Sequence, residues 1–369
     1  MNTPNHVVIF GATGVVGRAA CCHFSGLSGW KVTAVSRRAL RDMPDVHSLQ
    51  IDLRDRQQSF DGLSPLKDAT HAVFAAYAIE SGTSGWREPG QMDANLRLLQ
   101  HAIEPLWECA PRLCHISLLQ GTKAYGEPYA AIPVPAKESA PRARHSVFYW
   151  LQEDFLRERQ RQGRFGGQPW HWTILRPQVV IGDSWGSHMN LLPAIGVYAA
   201  LLKQEGRPLH FPGGPSWIRE AVDAELLAKA LAWAAVSPSC RNETFNITNG
   251  DVFEWRHVWP AIAQSLEMEV GEDVPQSLAQ TMPARQVDWE RVVKSHGLTS
   301  PVQLTDFVGQ GFIYADRQFC YGLAAPPPAR LVSTIKARQA GFADCVDTEQ
   351  MFRAYFRRFQ DRGWLPRVA

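Results

Sequence analysis

A doubly wound α/β fold, with a parallel sheet and a smaller, mostly helical C-terminal lobe, is what this 369-residue sequence predicts. Three observations carry that expectation. Short apolar runs alternate with helix-length stretches through the first half. The first apolar run leads straight into a glycine-rich turn. From about Gly182 the rhythm changes to loops rich in Gly, Pro, Ser and Trp, such as PGGPSW (212 to 217) and LAAPPPAR (323 to 330), set between helices. In order, His6 to Phe10 reads as a buried strand, and Val15 to Phe24 has helical spacing until Ser25-Gly26 stops it. Strands follow at Trp30 to Ser36, Ser48 to Ile51, His71 to Ala75, Leu113 to Leu118 and Trp172 to Arg176, with a helix over Met92 to Trp107. The expected division is a first domain over 1–181 and a lobe over 182–369. A segment near 210–250 returns to the first domain, with ETFNITNGD (243 to 251) as its strand.

Composition narrows the function classes. Apolar residues make up 45% and charged residues 20%, as in an ordinary globular protein, and the net charge of +2 comes with no long Lys/Arg block. The concentrated basic surface that a phosphate backbone requires is missing, so nucleic acid is not an expected partner. Seven cysteines with no Cys-x-x-Cys spacing point to reduced thiols in the cytoplasm. The longest apolar run, Ala194 to Leu202, is far short of a membrane span, and the first residues lack the pattern of a cleaved leader. No His-Glu-x-x-His or comparable spacing suggests a metal.

The glycine loop is the first motif with chemistry in it. Gly11-Ala12-Thr13-Gly14-Val15-Val16-Gly17 lies between a strand and a helix, where a dinucleotide fingerprint of a Rossmann-type sheet must lie. Gly11 permits the tight turn, Gly14 lets backbone approach a pyrophosphate, and Gly17 allows close packing of helix on strand. Thr13, Val15 and Val16 of the turn, with Ala75, Tyr149 and Val180 further along the chain, complete this part of the candidate cofactor set. Twenty residues beyond Gly17, where an NAD site usually carries an acid, stands Arg37 within Ser36-Arg37-Arg38. Guanidinium forks match phosphate oxygens, so the expected cofactor is NADPH. Asp52-Leu53, after the third strand, would suit the adenine rim, although an acid there is equally an ordinary turn carboxylate.

The loop, the late Arg219-Glu220-Ala221-Val222-Asp223 and FNITNG (245 to 250) resemble the extended short-chain dehydrogenases/reductases. LLQGTKAYG (118 to 126), FYWLQED (148 to 154), SHMN (187 to 190), HFPGGPSW (210 to 217) and FNITNGDVFEWRHVW (245 to 259) more specifically resemble the progesterone 5-beta-reductase/iridoid synthase-like family of that superfamily. The resemblance implies a Rossmann domain, NADPH, and reduction of a carbon-carbon double bond conjugated to a carbonyl.

The sequence also departs from the common short-chain site. That site puts Lys four residues after the catalytic Tyr, on one helix face, where the ammonium depresses the phenol pKa. None of the eight tyrosines here has Lys at that place, and Glu153, which follows Tyr149, would if ionised raise the phenol instead. The resembled family takes its cation from a Gly-x-Lys-x-Tyr segment, matched by Gly121-Thr122-Lys123-Ala124-Tyr125. Lys123 is then the cation and Tyr149 the catalytic Tyr. Ala124 and Trp150 depart from that family's usual His and Tyr, which bears on pocket shape.

The implied chemistry adds hydride to the β-carbon of an enone, while Tyr149 and Lys123 stabilise the enolate oxygen. Ser117 ends a strand where the superfamily often has a catalytic hydroxyl, and is equally a core residue. Trp185, His188, Met189, Phe307 and Tyr314 are candidates for lining a substrate pocket. The expected partner is a small-molecule enone, with a homodimer left open. Two alternatives stand beside this reading: a carbonyl reductase or epimerase on the same fold, and a non-catalytic NADP-sensing regulator.

Overall fold

The computed structural model describes residues 4–40, 42–79, 88–127, 130–163 and 169–367. Among them the strands are β1 (Asn5–Phe10), β2 (Trp30–Ser36), β3 (His47–Gln50), β4 (His71–Phe74), β5 (His115–Leu119), β6 (His171–Pro177), β7 (Val179–Ile181), β8 (Ala221–Asp223) and β9 (Glu243–Ile247). The helices that matter here are α1 (Val15–Ser25), α2 (Arg56–Leu63), α3 (Pro89–Cys109), α4 (Phe148–Gln162), α5 (Leu192–Gln204), α6 (Ala224–Val236) and α7 (Trp255–Ser265). The chain packs as two compact units. The first is Met1–Gln178 with Glu225–Ile247 and Val332–Asp344, and the second is Val179–Ala224 with Thr248–Leu331 and Cys345–Ala369.

The first unit is built on a seven-stranded sheet in the order β3-β2-β1-β4-β5-β6-β9, with every pairing parallel. Its central strands are apolar on both faces because helices cover both, which is why they read as continuous runs and not as alternating ones. Strand order reverses between β1 and β4, and ligands of open α/β sheets bind outside the strand ends at such a point. β9 joins the edge by pairing with β6, Phe245 opposite Leu175, so the FNITNG segment does return to this sheet. α3 begins at Pro89, earlier than its apolar stripe suggests, because proline at the first helical position has the right fixed φ and lacks only an amide that would be unbonded there. Its buried face is Ala94, Leu98, Leu99, Ala102, Ile103 and Leu106, the spacing of one helical side. α2 is capped by Asp55, whose carboxylate accepts from the Gln58 amide at 3.0 Å.

The second unit is largely helical, with β7 and β8 as a short parallel pair in which Val180 lies opposite Val222. Its core contains the fully buried Trp259, Trp289, Phe307, Phe352 and Phe356. α5 explains the longest apolar run of the sequence: every residue from Leu192 to Leu202 is buried, as in a helix enclosed on all sides by protein. Among the described residues no helix is long and apolar enough to cross a membrane.

Candidate active site

The glycine turn at the end of β1 is held by backbone alone. The amides of Gly11 and Ala12 both donate to Val35 O, at 2.9 and 3.2 Å, and Gly14 N donates to Gly11 O at 2.9 Å. Gly11 sits at φ +79°, and a Cβ there would come within 2.7 Å of Ala75 O and 2.8 Å of Ala76 N. The turn is therefore pressed against the chain leaving β4, at the strand-order reversal, and Ala75 is its immediate neighbour. A Cβ on Gly17 would lie 2.2 Å from Gly11 O and 2.8 Å from Ala12 Cα, so α1 can start this close to the turn only with glycine there. Gly14 is more tolerant, with a single contact at 3.2 Å. Gly14 also caps α1 with no side chain, leaving the first-turn amides to be satisfied from outside the helix. Thr13 and Val16 are half-buried, while Val15 is packed inward.

At the end of β2 the Ser36 hydroxyl donates to Arg38 O at 2.6 Å, which fixes the turn, and both Arg37 and Arg38 are exposed. Asp52 is gripped by Arg54, whose Nε lies 3.0 and 3.1 Å from its two carboxylate oxygens. Those bonds, aided by the more distant Arg37, hold the Asp52 carboxyl below the usual range. The Leu53 side chain is buried in the core of the first unit, and its carbonyl accepts from His101 Nδ1 at 2.7 Å. Only backbone of Leu53 is thus left to meet an adenine rim.

Tyr149 stands in the first turn of α4, in a small apolar cluster with Ala124, Val147 and Phe148. Phe148 meets the Tyr149 ring edge-on at 4.8 Å between centroids and stacks on Tyr77 at 5.8 Å. The Tyr149 hydroxyl reaches the turn that carries Lys123: a Cβ built on Gly121 would lie 3.4 Å from Tyr149 Oη. Thr122–Tyr125 form one 3-10 turn directly after β5, and Lys123 projects there with Glu127 Oε2 at 4.0 Å. Glu127 also accepts from Thr122 Oγ1 at 3.1 Å. Burial pushes the Tyr149 phenol well above its ordinary value; Tyr77 and Glu127 push the same way, and Arg176 pulls it down.

The acid whose charge bears on the Tyr149 phenol is Glu127, on the turn that carries Lys123, whereas sequence spacing points to Glu153. Arg157 and Arg142 hold Glu153 Oε1 at 2.9 and 3.1 Å, so its charge is locally matched. Spacing along α4 puts Glu153 on the same side as Tyr149, but the phenol is long enough to leave that side and lie over Gly121.

One residue of this neighbourhood carries no motif signal. Arg176, near the end of β6, is buried, and its Nε donates to Gln120 Oε1 at 2.9 Å. Gln120 in turn donates to Tyr149 O at 3.4 Å. The available clue is a charged residue closing an otherwise apolar strand, in Thr-Ile-Leu-Arg-Pro (173 to 177). Tyr125, the last residue of the matched segment, donates to Asn246 Oδ1 of β9 at 2.6 Å, so it anchors the turn to the returning strand. Ser117 is fully buried within β5, where its hydroxyl meets His115 Nε2 at 3.2 Å, and it acts as a core residue.

Candidates in the second unit fall into two groups. Asn190 pins the loop of Trp185, His188 and Met189, donating to Gly182 O and Ser184 O at 3.0 and 2.6 Å. Gly186 N donates to Phe307 O at 2.7 Å, which brings this loop against the segment leading to Tyr314. Met189 is exposed, and Trp185 and His188 are half-buried. Phe307 requires a correction. It is fully buried and stacked on Trp289 at 5.4 Å with ring planes 5° apart, so it packs inside the core and lines no surface. Val180 lies in β7 of this same unit.

A family model described as a PRISE-like Rossmann-fold domain matches residues 45–316. The chain belongs to this family. The resemblance read from GTKAY, FYWLQED and FNITNG is thereby borne out. The PRISE-like chain is 34% identical to the Arabidopsis thaliana protein named 3-oxo-Delta(4,5)-steroid 5-beta-reductase, over 79% of this chain and 77% of that one. It is 30% identical to (S)-8-oxocitronellyl enol synthase of Antirrhinum majus, over 97% and 92% of the two chains. Its kin are thus named as oxidoreductase-type enzymes. Among solved structures, a UDP-glucose 4-epimerase from Bifidobacterium longum in complex with NAD+ and UDP superposes with a TM-score of 0.65 at 14% identity, over 97% of this chain and 98% of that one. At that identity the likeness is one of fold.

Proposed function

We propose that this PRISE-like protein uses NADPH to reduce the carbon-carbon double bond of α,β-unsaturated carbonyl compounds, with Tyr149 and Lys123 stabilising the enolate oxygen. The observation that carries the reading is the approach of the Tyr149 hydroxyl to Gly121, the residue that precedes the turn holding Lys123. Relatives named as a steroid 5-beta-reductase and as enol synthases support it.

The residues present fit a phosphorylated dinucleotide. A Cβ at Gly11 or Gly17 would collide with backbone, so only glycine allows this tight turn, and the first-turn amides of α1 that it leaves open would hold the pyrophosphate. The exposed guanidiniums of Arg37 and Arg38 would take the 2′-phosphate, with the Ser36 hydroxyl setting their turn. When bound, the cofactor supplies hydride to the β-carbon of the enone, which leaves negative charge on the carbonyl oxygen.

The protein's own part concerns that oxygen. Burial keeps the Tyr149 phenol protonated, so it donates a hydrogen bond to the oxygen and does not compete as an anion. Lys123 adds positive potential from the adjoining turn. An enolate is far less basic than an alkoxide, so hydrogen bonding suffices where a carbonyl reductase must deliver a proton. The single proton that completes the reduction reaches the α-carbon from water. The same reading makes a small-molecule enone the partner, and seven free cysteines support the cytoplasm as the compartment.

The test uses an activated cyclic enone with NADPH deuterated at the transferred position. The expected product is the saturated ketone labelled at the β-carbon. An allylic alcohol labelled at the carbonyl carbon would make the protein a carbonyl reductase, and no consumption of NADPH across a broad enone panel would favour a regulator.

A further inference from the structure

We propose that Arg176 is a positioning residue of this site: its buried guanidinium supplies the unmatched positive charge behind Tyr149 and, through Gln120, holds the first turn of α4 in place. The inference rests on the reading of Tyr149 as donor to the enolate oxygen.

Local charge balance singles out Arg176. Lys123 faces Glu127 at 4.0 Å, and Glu153 is shared by Arg157 and Arg142. Glu138, which faces Tyr125, accepts from the Asn246 amide at 2.7 Å. Arg176 makes no ion pair among the described residues. Its neighbours are Gln120 at 2.9 Å, the Tyr125 ring with its centroid at 5.0 Å and the Trp150 ring at 6.0 Å. A buried charge without a counterion is costly to maintain, and aromatic faces and one amide oxygen offset only part of that cost. Such a charge raises the stability of any anion that forms nearby.

Geometry links this charge to Tyr149 through Gln120. Arg176 Nε fixes the Gln120 amide, Gln120 N donates to Leu175 O at 2.9 Å, and Gln120 Nε2 donates to Tyr149 O at 3.4 Å. The guanidinium also pulls the Tyr149 phenol down, against burial, Tyr77 and Glu127. The common short-chain site takes this field from Lys one helical turn after the Tyr. Here Arg176, on a neighbouring strand, adds to the potential that Lys123 supplies.

The experiment compares the full-length parent with Arg176→Lys, Arg176→Gln and Gln120→Ala. It measures kcat and KM for an activated enone, melting temperature, and the ionisation of bound 4-nitrophenol, an enolate mimic read by absorbance in the presence of NADP+. Arg176→Gln should lower kcat about tenfold or more with KM for NADPH little changed, and should make the bound phenol about tenfold harder to ionise. Arg176→Lys, which keeps the charge, should recover most of both, while Gln120→Ala should lower kcat with little effect on the probe. Equal losses in the Lys and Gln variants together with a fall in melting temperature would reduce Arg176 to a structural residue. Parental kcat and unchanged probe behaviour in Arg176→Gln, including equal failure to bind, would overturn the proposal. If the parent reduces no enone but probe ionisation still follows the charge at 176, the functional reading fails and the electrostatic one stands.

Discussion

Replacing Gly17 with alanine adds one carbon at a place closed on several sides by backbone. That carbon would lie 2.2 Å from Gly11 O, 2.7 Å from Gly11 C and 2.8 Å from Ala12 Cα. The shortest contact is roughly 1.2 Å less than the 3.4 Å at which ordinary contact begins, and none of the three atoms belongs to a flexible side chain. Relief therefore requires α1 and the turn to separate by about that amount. Overpacking of this kind costs about 1–3 kcal/mol in stability. Separation also carries the first-turn amides away from a pyrophosphate, and hydrogen bonds to a charged group contribute about 1.5–3 kcal/mol each. Loss of one such bond or two predicts NADPH affinity at least about tenfold to a hundredfold weaker. Gly14→Ala is the internal control for the stability of the turn alone, since its single contact, at 3.2 Å, leaves the turn nearly where it is, whereas a Cβ there would still meet the pyrophosphate. Calorimetric titration with NADPH and thermal melting of both variants provide the measurement. If Gly17→Ala binds NADPH as tightly as the parent, the glycine turn is not where the dinucleotide sits.

Arg37→Ala with Arg38→Ala should weaken NADPH binding by about tenfold or more while leaving NADH binding nearly unchanged, since each charge-assisted contact to the 2′-phosphate is lost only for NADPH. Equal affinities of the parent for the two cofactors would remove the arginine assignment. Tyr149→Phe and Lys123→Ala should each lower turnover by about 10²–10³, the usual effect of losing one donor to a developing oxyanion, with NADPH affinity preserved. Full activity in both would dissociate the pair from the reaction. Phe307→Ala should destabilise the protein by about 3–5 kcal/mol through the cavity left beside Trp289. A melting temperature equal to the parent's, with an altered enone preference, would return Phe307 to a pocket wall.

The sequence by itself determined what short stretches of chain decide. Buried parallel strands announce themselves as apolar runs, so β1, β2, β4, β5 and β6 are legible to within two residues at either end, as is the return of Glu243–Ile247 to the sheet. The glycine loop is legible because its steric demands are made on atoms six residues apart or fewer, apart from the approach of Ala75 to Gly11. Lys123 and Tyr149 could be named only through family resemblance, since a lysine and a tyrosine twenty-six residues apart carry no local signal of meeting. Tertiary structure decided the electrostatics. Helical spacing pairs Tyr149 with Glu153, yet Glu153 is held by Arg142 and Arg157, and Glu127 is the acid whose charge bears on the phenol. Arg176 and Gln120 reach Tyr149 only because β5 and β6 lie side by side in the sheet. Phe307 and Tyr314 are alike in sequence as aromatics in helical segments, and only packing against Trp289 commits Phe307 to the core. The physical reason is one of range. Backbone conformation and apolar periodicity are set within a few residues, whereas burial and charge pairing are sums over neighbours that the fold brings together from separate elements, as Gln120 and Arg176 meet between β5 and β6.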